Sequence, residues 1–167
     1  MKKLLIILCV ICTIIPLIVY GVGIVKTVKF NANCISYFQL AADANSVALA
    51  EKHLTSGINY LEQNNLTSGY TKIFVYKPTN DIGLWYENLK SAQLQLQELN
   101  EKEELAELEE SNSLMKLRET LLDNQGTVTH PEGIMFHPSY ASLFWTAVFI
   151  WMLWILAFAF GVVAYDY

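Results

Sequence analysis

Two uncharged apolar segments, one at each end of the chain, constrain the fold more than any other feature. Residues 4–25 form a run of 22 positions and residues 143–165 a run of 23, neither with Asp, Glu, Lys or Arg. At 1.5 Å per residue each helix would be about 33 Å long, which is enough to cross a hydrocarbon core of about 30 Å. The sequence therefore predicts two transmembrane helices.

The segment between them is acidic. Residues 26–142 hold nine Lys or Arg and fifteen Asp or Glu, a formal charge of −6. This balance argues against nucleic acid and anionic lipid headgroups as partners of the segment. Cys9 and Cys12 lie inside the first apolar run, so we expect Cys34 to be the only cysteine facing water, unpaired, with a disulfide to a second copy as the alternative.

Charge at the amino terminus predicts the orientation. The MKK start favours a cytoplasmic segment 1–3, although Lys26 and Lys29 on the other side of the run weaken the bias. A long connecting segment is translocated largely regardless of charge. We therefore expect residues 26–142 outside the cytoplasm and residues 166–167 back inside it.

The alternative for the first apolar run is a cleaved signal peptide. Pro16 breaks the run, and Gly21 and Gly23 resemble a processing site. The run continues through Val25, which is longer than the 7 to 15 residues typical of a signal sequence. The short basic start and a single Asn-Leu-Thr sequon at 65–67 favour the inner membrane of a bacterium.

The central segment is predicted to be an antiparallel hairpin of two long helices, which makes the fold class an all-α membrane protein. The helices cover about 28–64 and 82–124, with a tip loop at 65–81 and a juxtamembrane segment at 126–142. Within the tip loop, β-branched and aromatic residues predict a short extended segment over Thr71–Tyr76. Either one helix or two, with a turn near residues 100–104, fits 82–124; we favour one. Apolar residues at coiled-coil spacing predict the packed faces: Leu40, Val47, Leu54, Leu61, Leu89, Leu96 and Leu99.

Aromatic residues concentrate at the predicted hairpin tip. We interpret them as a docking surface for another protein, because Tyr and Trp supply large contact areas at low entropic cost. The alternative is a small core that closes the hairpin. The residues are Tyr70, Phe74, Tyr76, Trp85 and Tyr86.

Three weaker features complete the candidates. The glutamates between Glu98 and Glu110 are expected to form a solvated helix face. His130, Glu132 and His137 are expected to form a rigid juxtamembrane turn, with a metal site as the alternative. Ala157 and Gly161, a small pair four residues apart, are candidates for packing between spans.

The functional prediction is a non-enzymatic accessory or scaffold subunit, with no cofactor, that binds other membrane proteins or a second copy and sits in the lipid bilayer. No motif for a nucleophile, metal or phosphate site is present. The order span, helical domain, span is similar in outline to the sensory half of bacterial chemoreceptors and membrane histidine kinases. That resemblance implies the alternative, a sensor in which two copies form a four-helix bundle around alanine-rich faces: Ala41, Ala42, Ala44, Ala48 and Ala50.

Overall fold

The computed structural model describes residues 2–74, 76–102 and 106–165, apart from the side chains of residues 2–9, 11, 12, 140, 141 and 156–165. The described residues contain no strand, and the all-α prediction is confirmed. Six α-helices follow in chain order: α1 Lys2–Phe30, α2 Ser36–Ala42, α3 Val47–Gln63, α4 Ile82–Asn100, α5 Glu107–Leu121 and α6 Tyr140–Tyr165.

A π-helical turn, Asn31–Ile35, joins α1 to α2 without a break in the helical path. The first apolar helix therefore continues directly into the central domain. A π-turn inserts one extra residue into the helical repeat. This insertion places Phe30, Cys34 and Phe38, spaced four apart, on one buried face.

The predicted helix over 28–64 is wrong, because it ends at Ala42 and a new helix begins at Val47. Ser46 has extended backbone angles, and its hydroxyl accepts a hydrogen bond from the N–H of Leu49. This is an N-cap, which satisfies an otherwise unpaired backbone donor at the start of α3. The chain reverses here, and α3 packs against α2.

Helices α2 to α5 form a four-helix bundle in place of the predicted two-helix hairpin. Three side-chain pairs show that α3 and α4 are antiparallel: Glu62 with Tyr86, Thr55 with Gln93, and Glu51 with Asn100. We use the term base for the end of the bundle that is connected to α1 and α6. The opposite end is the far end. At about 26 Å for α3 and 29 Å for α4, these helices are about half as long as predicted helices over 28–64 and 82–124 would be.

The second predicted helix is two helices, since α4 ends at Asn100 and α5 begins at Glu107. Residues 103–105 between them are outside the described residues. α5 returns from the far end, where the Glu110 carboxylate accepts a hydrogen bond of 3.1 Å from the N–H of Val47. Helix α5 ends near the base. In the segment that follows it, the carbonyl of Thr129 accepts a hydrogen bond of 3.0 Å from the indole N–H of Trp85 on α4.

Most of the predicted packing residues lie inside this bundle. Val47, Leu54, Leu61, Leu89 and Leu96 are buried, and Leu99 packs against the core while partly exposed. Leu40 corrects the prediction, because half of its surface (50%) is exposed. Leu40 was predicted to be packed because it lies seven residues before Val47 in one continuous helical repeat. The chain reversal at residues 43–46 ends that repeat, so the two residues do not share a helix face.

One helical stretch of the described residues, Thr13–Ala42, is long and apolar enough to cross a membrane. Only 6% of its 18-residue apolar window is buried inside the protein, so that window does not belong to the core, although a signal sequence would pass the same test. In α6, the described stretch Ser142–Ile155 is apolar but shorter. Helices α1 and α6 pack against each other.

Candidate functional site

The loop that joins α3 to α4 lies at the base of the bundle. The Lys72 ammonium is 2.8 Å from a Glu132 carboxylate oxygen, just before α6. Gly69, with φ of +101°, lies so close to His137 that a Cβ there would be 2.6 Å from the imidazole Cε1. The prediction of a tip remote from both apolar helices is wrong, because four helices rather than two return the chain to the base.

The structure divides the five predicted tip aromatics into two groups. Trp85 and Tyr86 belong to α4 and are half-buried in the bundle. Trp85 meets Phe38 edge-on, with ring centroids 5.8 Å apart. The Tyr86 hydroxyl donates to Glu62 at 2.6 Å, and burial together with this hydrogen bond raises the pKa of Tyr86 to about 12. These two residues join helices together.

Tyr70, Phe74 and Tyr76 form the second group and are exposed on the loop. Phe74 is 71% exposed and Tyr76 67%. The rings of Tyr70 and Tyr76 meet edge-on at 4.8 Å, while Phe74 meets Phe144 of α6 at 5.7 Å. The loop therefore presents an exposed aromatic surface beside the start of α6.

Backbone bonds close this loop at both ends. The N–H of Thr71 donates to the carbonyl of Asn80, and that of Ile82 to Gly69. The Asp81 carboxylate caps α4 by accepting from the N–H of Leu84, and its charge raises the pKa of Tyr70. An isolated antiparallel bridge, Tyr70 with Asp81, flanks the segment Thr71–Tyr76 that we predicted to be extended, and the described residues of that segment form no strand.

Two of the clefts at the base are lined by lysines. One, of about 290 Å³, lies between the end of α1 and the segment before α6; among its lining groups are Lys26, Lys29, Tyr60, Asn64 and His137. The other, of about 430 Å³, lies under the loop; its lining includes Lys72, Phe74, Lys77 and Phe144. Ammonium groups and aromatic rings therefore share the base.

The predicted juxtamembrane residues each have a different neighbour. His130 meets Phe30 edge-on at 5.6 Å, Glu132 pairs with Lys72, and His137 lies against Gly69. In the part of the chain that the structure describes, no three His, Cys, Asp or Glu residues come together as metal ligands would.

The acidic run occupies the far end. Lys102 pairs with Glu109, and Glu110 caps α3 through Val47. A carboxylate at a helix N-terminus interacts favourably with the helix dipole. The other described glutamates of the run are exposed: Glu98, Glu101 and Glu107. Glu103 and Glu104 lie outside the described residues.

An apolar patch lies on the outer face of α2 and α3. Tyr37 and His53 are ring neighbours at 6.3 Å. One turn further towards the far end, the two antiparallel helices carry Leu40 and Leu49, which are both exposed. We call Tyr37, Leu40, Leu49 and His53 the α2–α3 patch; sequence patterning missed it because it assigned Leu40 to the core.

The alanine-rich faces are part of the core of a single chain. Ala41, Ala42 and Ala50 are buried, Ala44 packs against the core, and Ala48 is exposed. One copy completes the four-helix bundle that the sensor hypothesis assembles from two copies. A cleft of about 280 Å³ does run between α4 and α5, bordered by Ser91, Gln95 and Lys116.

Cys34 is fully buried, which corrects the expectation that it faces water. Its Sγ lies 3.9 Å from the carbonyl of Gly57, and burial raises the pKa of the thiol well above its ordinary value. A disulfide to a second copy requires the bundle to open. The side chains of Cys9 and Cys12 lie outside the described residues.

We expect Cys34 to resist alkylation in the folded protein. In a Cys9→Ala/Cys12→Ala variant, maleimide should label the chain slowly in mild detergent and completely after denaturation, because the thiolate is the reactive form. Mass spectrometry over time measures the labelling. Equal rates in native and denatured samples would place Cys34 at the surface.

Comparison of the chain with protein-family models, curated proteins and solved structures gives no match.

The predicted span-packing pair, Ala157 and Gly161, has side chains outside the described residues.

Proposed function

We propose that this chain is a non-enzymatic, two-span membrane protein whose helical bundle serves as an assembly subunit for other membrane proteins or for a second copy. The packing of the two apolar helices, α1 and α6, against each other supports the anchoring role. α6 is included as a span because its full sequence, residues 143–165, has no charge. The bundle is then held close to the bilayer, with its acidic far end in water.

The observation that carries the assembly role is the α2–α3 patch. Leu40 and Leu49 are exposed apolar residues on adjacent helices, in a protein whose core is already complete without them. Aromatic and aliphatic side chains at the centre of such a patch are typical anchors of protein interfaces. A partner helix in the groove between α2 and α3 would cover both leucines.

Site-specific photocrosslinking in native membranes tests the assembly role. A benzophenone amino acid at Leu40 should give one discrete crosslinked product, either a dimer or a defined heterologous adduct identified by mass spectrometry. The matched control is Leu94 on α4, which is similarly exposed at 56%. The same set of products from both positions, or none from Leu40, would contradict the proposal.

A further inference from the structure

The base of the bundle meets α1 within the apolar run of that helix. A Cβ at Gly23 would lie 3.3 Å from the Phe136 ring, so Phe136 packs against α1 at this residue. Gly23 is three residues before Lys26, the first charged residue after the run, or about 4.5 Å along the helix. The turn Ile134–Phe136 therefore lies level with the end of the first span.

The loop aromatics reach the same level from the other side. Phe74 contacts Phe144, which is the second residue of the apolar run 143–165. Tyr76 is exposed next to Tyr70, and Trp145 is exposed on α6. Tyr and Trp side chains are enriched where a bilayer meets water, because one end of the ring is apolar and the other polar.

Charge at the base differs from the charge of the domain as a whole. Four lysines line the two base clefts: Lys26, Lys29, Lys72 and Lys77. The described carboxylates at this end include Glu132, which pairs with Lys72, Asp81, which caps α4, Glu62, which pairs with Lys90, and Asp123, which accepts hydrogen bonds within its own turn. Most of the acidic run lies at the far end, so the argument from the −6 net charge does not apply to the base.

We propose that the base surface, made of Tyr70, Phe74 and Tyr76 together with these four lysines, sits in the headgroup layer of the bilayer and binds anionic phospholipid headgroups. The inference rests on the proposed membrane anchoring by α1 and α6. Lysines at this depth are attracted to anionic lipid, and the aromatic rings enter the interfacial layer. The bundle is thereby fixed upright by contacts additional to the spans.

Depth-dependent quenching of a fluorophore in reconstituted vesicles tests the seating. Single cysteines are introduced by Phe74→Cys, Leu108→Cys and Ile18→Cys in a chain with the native cysteines replaced by Ala, and labelled with an environment-sensitive dye. Leu108 on α5 is a matched control, since it is 72% exposed near the far end. Ile18 reports on the middle of the first span.

A nitroxide near the lipid headgroup should quench the dye at position 74, a nitroxide deep in the acyl chain should quench it at position 18, and neither should quench position 108. Quenching at 18 with none at 74 would overturn the base proposal and leave the membrane anchoring intact. Absence of quenching at 18 would overturn the anchoring and, with it, the seating of the base.

Lipid charge supplies the second arm. Quenching at position 74 should be stronger in vesicles that contain phosphatidylglycerol than in phosphatidylcholine alone. Lys29→Gln with Lys77→Gln should remove that difference, whereas Lys52→Gln, on α3 away from the base, should preserve it. If the protein that retains all four lysines is quenched equally in both lipids, the lysines do not bind anionic headgroups.

Discussion

Replacing Gly57 by Ala should lower the free energy of unfolding of the bundle by about 1–3 kcal/mol, the usual cost of overpacking a core. The ring of Phe38 lies directly over this glycine, and an added Cβ would come within 2.8 Å of Cδ1 and 2.9 Å of Cζ. Phe38 cannot easily move away, because it is fully buried and packs against Trp85. To accommodate the added Cβ, helices α2 and α3 would have to move apart.

The sign of this effect makes it diagnostic. In an exposed helix interior, Gly to Ala is favourable by about 1 kcal/mol. Gly21→Ala is the control, since no atom lies within 4 Å of a Cβ there, and it should leave bundle stability unchanged or slightly higher. Thermal unfolding in mild detergent, followed by far-ultraviolet circular dichroism, measures both variants.

A second substitution separates the clash from other causes. Phe38→Leu has a smaller side chain and should recover part of the lost stability when combined with Gly57→Ala, although it destabilises the wild-type chain. Non-additivity of this kind is expected for residues in direct contact. Additive effects, or a stabilised Gly57→Ala protein, would mean that α2 does not pack on α3 at this point.

The sequence predicted helices well and predicted their reversals poorly. Apolar spacing located α3 and α4 because Leu54, Leu61, Leu89 and Leu96 repeat within one helix each. The reversal at residues 43–46 has no Gly or Pro, so only the Asn45-Ser46 pair before Val47 could have indicated an N-cap. A chain cut into four short helices rather than two long ones then places the loop at residues 65–81 at the opposite end from that expected.

The amino-acid composition located the candidate aromatic site, but the predicted topology put it at the wrong end of the domain. The concentration of aromatic residues is real, but whether Trp85 supports the bundle or Phe74 faces outward depends on tertiary contacts with Phe38 and Phe144. The lysines of the base could not be grouped from the sequence, because Lys26 and Lys29 are more than 40 positions from Lys72 and Lys77 in the chain. Net charge averages over such distances, whereas electrostatic attraction acts over about 10 Å.

Leu54→Ala and Leu40→Ala should differ strongly, although the heptad pattern treats the two leucines as equivalent. Leu54 is 0% exposed and lies among the core residues of α3, so its truncation leaves a cavity and should cost about 2–5 kcal/mol. Leu40→Ala removes an exposed side chain and should change stability by no more than about 0.5 kcal/mol.

Urea unfolding of both variants measures this difference, and the slope of free energy against denaturant should stay the same because the bundle remains one cooperative unit. If the central domain were instead the two-helix hairpin, Leu40 and Leu54 would share one packed stripe and both truncations would be costly. The ratio of the two losses therefore decides between the architectures.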